Sequence, residues 1–282
     1  MRERIILTAK DNVPIRLTKW AIDDPKAAVL ILHGMAEHSY RYERFALELN
    51  KAGYTVFGLD FRGHGEGWDR LGFLAEEDGE LKVLSDIFES AAYVREQVPA
   101  KPLYLFAHSM GTMFARFSLM RQDPLKVDKV ILSGIPVMAK RPAPPKDAPK
   151  SNKPFGSLNA AFAPNRTDAD WLSRDEDEVD KYVADPMCGF AATPEMGRDV
   201  AKASMYIAQS GIEKLLPDVP YGIFVGSVDP CGGEAGAEYV KELWSAAGKN
   251  VRTWVYEGAR HEVLNETNRD EVTRDMIAFL DE

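Results

Sequence analysis

The chain has 282 residues, of which 45% are hydrophobic, with 35 basic against 44 acidic side chains for a net charge of −9. At roughly 150 residues per domain this length means two domains or one large α/β domain, long enough to bury a core without disulfide staples. The acidic balance excludes the basic footprint of a nucleic-acid binder and a polybasic membrane surface. Two opening strands are expected around Ile5-Ile6-Leu7 and over residues 13–20, joined by a hairpin-type turn at Asp11-Asn12. Residues 27–33 are almost wholly apolar, as are 54–60, 103–107 and 130–133, which is the pattern of strands buried on both faces. Residues 223–226 and 251–256 complete the series. Helical stretches lie between them. Residues 81–98 place Leu84, Ile87, Phe88, Ala91 and Val94 on one face at steps of three and four, and 41–51, 237–247 and 267–280 behave alike. Strands alternating with helices predict βαβ units and an α/β fold with a mostly parallel sheet covered on both sides.

The rhythm breaks between residues 138 and 197. Residues 139–154 hold five prolines and five basic residues against one acid, and 167–185 hold eight acids against two bases. The expected organisation is a core from 1–137 and 198–282 with a 138–197 insertion of loops and short helices. Its aromatic residues argue against plain disorder, and a long loop in a compact domain is usually functional, so it reads as a lid.

Lys10 and Asp11 interrupt the apolar opening before it reaches signal-peptide length, and no run approaches 18 apolar residues. Only Cys188 and Cys231 are present, with no CxxC and no Cys/His cluster in sequence. The expectation is a cytoplasmic protein with no disulfide framework, no metal and no organic cofactor.

Chemistry concentrates where apolar runs end. Residues 102–112 read PLYLFAHSMGT, the strand–turn–helix context of a nucleophile elbow. Ser109 sits between small residues because strand and helix approach closely there. Ala107 occupies the first position of the pattern, where glycine is usual; the alternative for Ser109 is a helix cap. A serine nucleophile needs a base and the base an orienting carboxylate, in the chain order serine, acid, histidine. Of five histidines only His261 follows Ser109. Asp229 lies three residues beyond a strand and is the candidate acid; Asp218 precedes that strand and is the rival, and Asp177 belongs to a charged face. An oxyanion hole needs two backbone N–H groups, assigned to Met110, after the nucleophile, and Met35, in the Gly-containing loop after the third strand. The methionine side chains themselves read as packing.

These motifs resemble the monoacylglycerol lipase and lysophospholipase group of α/β-hydrolases, also called the serine aminopeptidase S33-like group. The resemblance rests on His33-Gly34-Met35-Ala36-Glu37-His38-Ser39-Tyr40-Arg41-Tyr42, Asp60-Phe61-Arg62-Gly63-His64-Gly65, Ala107-His108-Ser109-Met110-Gly111, Gly226-Ser227-Val228-Asp229 and Gly258-Ala259-Arg260-His261. It covers roughly residues 27 to 262, and the insertion falls where that family carries its cap. It implies an α/β-hydrolase fold and a serine hydrolase acting on carboxylic esters, with acylglycerols or lysophospholipids as small-molecule substrates. Arg62 and His64 are expected to serve loop structure. Phe155, Phe162, Trp171, Leu172, Met187 and Phe190 are the candidates for an acyl-binding surface, the alternative being that they dock the insertion on the core. An aminopeptidase or amidase on the same triad, or a ligand-binding protein that keeps the scaffold, are the other readings. No heptad or interface patch indicates an oligomeric state, and no basic amphipathic helix indicates stable membrane insertion.

Overall fold

The structure, a computed structural model, describes residues 2–140 and 155–282. Most of the proline-rich basic stretch, residues 141–154, lies outside the described residues. The strands β1 (Arg2–Thr8), β2 (Pro14–Trp20), β3 (Ala27–Leu32), β4 (Tyr54–Asp60), β5 (Leu103–His108), β6 (Lys129–Ser133), β7 (Tyr221–Gly226) and β8 (Val251–Tyr256) form one sheet in the order β1-β2-β4-β3-β5-β6-β7-β8. β2 pairs antiparallel with β1 and β4, and every other neighbour is parallel. The opening hairpin turns at Asn12, whose φ of +65° asparagine tolerates better than most residues.

The helices are α1 (Glu43–Lys51), α2 (Gly79–Gln97), α3 (Met110–Leu119), α4 (Gly156–Asn159), α5 (Glu176–Ala184), α6 (Pro194–Ile207), α7 (Gly233–Ala246) and α8 (Arg269–Asp281). The inner strands of the sheet are buried on both faces, while edge strand β1 is largely exposed, and the period of two in a strand divides the inner strands between two cores. In β3, Ala28, Leu30 and Leu32 face one core with Val83, Ile87, Ala91 and Val94 of α2. Ala27, Val29 and Ile31 face the other with Phe45 and Leu49 of α1 and Val272, Met276 and Phe279 of α8. That is why all six residues of β3 and all seven of β4 are buried.

Two features position the site. The chain leaves β3 toward β4 on one side and returns to β5 on the other, so the loops after β3 and β5 open apart at a topological switch point. Between β6 and β7 comes the expected break in the rhythm, where the described elements are the short α4, then α5 and α6. α6 runs across residue 197, and its Met196 is fully buried beneath α2 and α3. No helix among the described residues is long and apolar enough to cross a membrane.

Candidate active site

Ser109 links β5 to α3 with φ +50° and ψ −118°. A residue bearing a Cβ holds such a conformation only when its surroundings over-determine it. Here Ser109 N–H donates to Ser133 O of β6 at 3.0 Å, and a Cβ on Gly111 would come within 2.2 Å of Leu32 O. The Ser109 side chain caps no helix N–H, so its hydroxyl is not spent on the alternative role of a cap. Ala107 is fully buried in the core, which absorbs the methyl that a glycine would lack.

Asp229 follows β7 and His261 follows β8. Gly226 lets the two loops meet, because a Cβ there would lie 2.1 Å from Ala259 O and 2.2 Å from Arg260 O. His261 Nδ1 lies 2.9 and 3.0 Å from the two Asp229 carboxylate oxygens, and its Nε2 lies 2.8 Å from Ser109 Oγ. His261 is 1% exposed and Asp229 0%. The carboxylate accepts the Nδ1 proton, which leaves the Nε2 lone pair facing the serine hydroxyl. Asp229 Oδ1 also accepts from Cys231 N–H at 2.8 Å. Burial by itself would lower the His261 pKa, but the Asp229 charge overrides it and holds the imidazole above the usual histidine range. His108 packs 4.8 Å from the His261 ring, and burial together with that neighbour pushes it down to about 4, so it stays neutral.

Met110 is the first residue of α3, where helical N–H groups have no intrahelical acceptor, and Met35 lies in the loop after β3. Among the described residues, neither N–H has an acceptor. The Met35 loop is held by Glu37: its Oε1 accepts from Gly34 N–H at 2.5 Å and from Tyr42 O–H at 2.8 Å, and its Oε2 from Arg41 at 2.7 Å. Arg41 also forms a two-pronged pair with Glu262, at 2.6 and 2.7 Å. Burial would raise both carboxyls, but Arg41 holds Glu37 below its ordinary range and brings Glu262 down to about 2. This buried network ties the Met35 loop to the residue beside His261. The sequence reading missed it, although Glu37 and Arg41 stand four apart in a quoted motif. Glu262 lies more than 200 residues away, and only the fold brings it in.

The six insertion candidates separate. Trp171 is buried with its ring 4.8 Å from that of His261, and Phe155 packs behind it at 5.5 Å. Leu172 is buried in the same apolar cluster. Phe162 lies under the Arg260 guanidinium at 4.3 Å, and Phe190 lies 5.1 Å from His64. Met187 is half-buried in a turn, where its N–H donates to Asp185, and no described contact brings it to Ser109 or His261. The rival Asp218 is exposed and pairs with Lys249, and Asp177 is exposed on α5. Arg62 is bonded to Asp86 and Asp11, while His64 Nδ1–H donates to its own loop's Arg62 carbonyl, 2.9 Å away. Burial pushes His64 down to about 3.

Residues 23–268 match the family model described as serine aminopeptidase, S33. The chain is 30% identical over 268 residues to monoacylglycerol lipase of Mycolicibacterium smegmatis, across 93% of this chain and 90% of that protein. It is 29% identical over 255 residues to monoglyceride lipase of Homo sapiens, across 84% and 76% respectively. A solved lipase in its open form matches with a TM-score of 0.84 at 26% identity, over 100% of this chain and 98% of that one.

Proposed function

The chain belongs to the serine aminopeptidase S33 family and is an α/β-hydrolase of the serine carboxylic ester hydrolase type, and we propose that it cleaves monoacylglycerol- or lysophospholipid-like esters through Ser109, His261 and Asp229. The observation that carries this reading is the unbroken chain from Asp229 through His261 to Ser109 Oγ, ending on a strained elbow. Ser109 attacks the ester carbonyl while His261 Nε2 takes its proton. Asp229 keeps the imidazole in the required tautomer and stabilises the imidazolium. The Met35 and Met110 N–H groups receive the tetrahedral oxyanion, each worth about 2.7–4 kcal/mol where such donors have been removed. The intermediate collapses as His261 protonates the leaving alcohol, and water, activated by the same histidine, releases the acyl group.

The lipid side of the reading rests on the apolar wall of Trp171 and Phe155 beside His261 and on relatives named monoacylglycerol or monoglyceride lipase. In it, residues 138–197 act as the cap, with Phe162, Leu172, Met187 and Phe190 completing an acyl-binding surface. A peptidase would need a carboxylate to anchor a free amine. Glu37 and Glu262, which flank the two catalytic loops, are both engaged by Arg41. The test is turnover of p-nitrophenyl esters of increasing acyl length beside aminoacyl p-nitroanilides. Strong ester turnover that falls on the order of a millionfold in Ser109→Ala is expected. Equal activity in the variant, or turnover confined to the aminoacyl amides, would overturn the proposal.

A further inference from the structure

Three metal-type donors from two separate parts of the chain converge beside the Met35 loop. His38 ends that loop, and Asp185 and Cys188 lie on the turn that follows α5. The donor atoms of His38, Asp185 and Cys188 all lie within 4.8 Å of one another. We propose that His38, Asp185 and Cys188 form a binding site for a soft or borderline divalent cation, zinc(II) in the first instance, that clips this turn to the oxyanion loop.

Four observations support it. The donor set of imidazole, carboxylate and thiol suits zinc or cadmium rather than magnesium or calcium, which take oxygen ligands. His38 is 4% exposed and its Nε2 is aimed at Asp185 Oδ2, 2.8 Å away, so the ring already faces the turn with the nitrogen that would bind the ion. Acidic groups gather there: among the described residues Glu37 and Glu262 share Arg41, and Asp185 faces His38, so a dication would be electrostatically favoured. The turn is also pre-formed. Met187 N–H donates to Asp185 Oδ1, Cys188 N–H to Asp185 O, and Gly189 N–H to Ala36 O. Tyr182 O–H donates to the same Ala36 carbonyl at 3.1 Å.

Zinc bonds of about 2.0 Å to nitrogen and oxygen and 2.3 Å to sulfur set tetrahedral ligands roughly 3.2–3.8 Å apart. The His38–Asp185 hydrogen bond, now 2.8 Å, opens by about half an ångström to admit the ion, and the thiol rotates inward. Burial keeps Cys188 a thiol well above its ordinary pKa, so binding releases its proton to solvent and is tighter at higher pH. Cys188 is half-buried, so solvent reaches the turn that carries it.

The test is titration of the full chain with cadmium(II), read by the ultraviolet cadmium–thiolate charge-transfer band, and with zinc(II) against a chromogenic chelator. One equivalent is expected, with the band lost in Cys188→Ser. Zinc affinity should fall on the order of 100-fold or more in Cys188→Ser and His38→Gln. A second cluster, Asp229, Cys231 and His261, lies in the catalytic centre, so Cys231→Ser is the control and should keep the band. Loss of the band in Cys231→Ser with retention in Cys188→Ser overturns the proposal, as does no band at all. Should a variant unfold, the wild-type protein decides: zinc should slow alkylation of Cys188 by iodoacetamide, and an unchanged rate would count against the site.

Discussion

The two sides of the candidate site are built by opposite means. Ser109, Asp229 and His261 stand on loops that leave parallel strands, and glycines at 111 and 226 let those loops pack to within van der Waals limits. The facing side, residues 155–193, has the short α4 and α5, a small apolar cluster around Trp171, Leu172, Val179 and Tyr182, and many polar ties. Its attachment to the 257–268 region runs through Arg174 to Glu266, Ser173 O–H to Asn265 O, and Arg260 to the Asp170 and Ser173 carbonyls. A strand end inside a two-faced core has one position available to it. A segment held by polar ties and a small apolar cluster buries less apolar surface than a strand inside the sheet, so its local opening costs less. Under the proposed function, chemistry that tolerates little displacement would sit on the first side, and adaptable contact with a substrate would suit the second.

The comparison can be broken at its rigid side first. Asp229→Asn should lower kcat about 10⁴-fold, because an amide no longer selects the Nδ1–H tautomer. Removing the carboxylate also removes the charge that raises the His261 pKa, so the acid limb of the residual pH–rate profile should move to lower pH. An unmoved limb would mean that another group controls it. Next in size is Glu37→Gln, which weakens the hold on Gly34 N–H and Arg41. A loss in kcat of about 10–100-fold with little change in KM is expected, as for partial misplacement of an oxyanion donor. A change confined to KM would place Glu37 in substrate binding instead.

On the adaptable side, Trp171→Ala should reduce the preference for long over short acyl chains by about tenfold, the scale of one or two methylenes lost from an apolar pocket. Unchanged chain-length selectivity with lowered thermal stability would mean that Trp171 only docks the insertion. The smallest effect concerns pH and stability. The folded pKa of His261 lies above the unfolded value of about 6.5. The stabilisation from its charged form with Asp229 is therefore fully present below about pH 6.5 and disappears as pH rises through the folded pKa. Activity needs the neutral imidazole and moves the opposite way. Thermal melts across this window should show wild type losing stability relative to Asp229→Asn as pH rises, and parallel curves would contradict the assignment.

Much of this was legible in residues alone. Apolar runs such as 27–32 can be buried on both faces only in a covered sheet, so strand positions and the parallel core followed from pattern. That Ser109, Asp229 and His261 would meet was readable for the same reason, since each comes shortly after an apolar run and their chain order restricts the choice. The insertion was readable only as an interruption, because its apolar residues have no period that assigns them a face. Trp171 and Met187 look equivalent in sequence, yet one packs on His261 and the other sits in a turn beside Asp185.

What the tertiary structure alone decided is which distant side chains share a buried space. Glu37 and Arg41 met Glu262, and His38 met Asp185 and Cys188, across separations of some 150 to 220 residues. Local pattern encodes periodicity and turn chemistry within a few residues. Buried polar groups instead find partners through the packing of whole elements, and no spacing rule in one dimension specifies that.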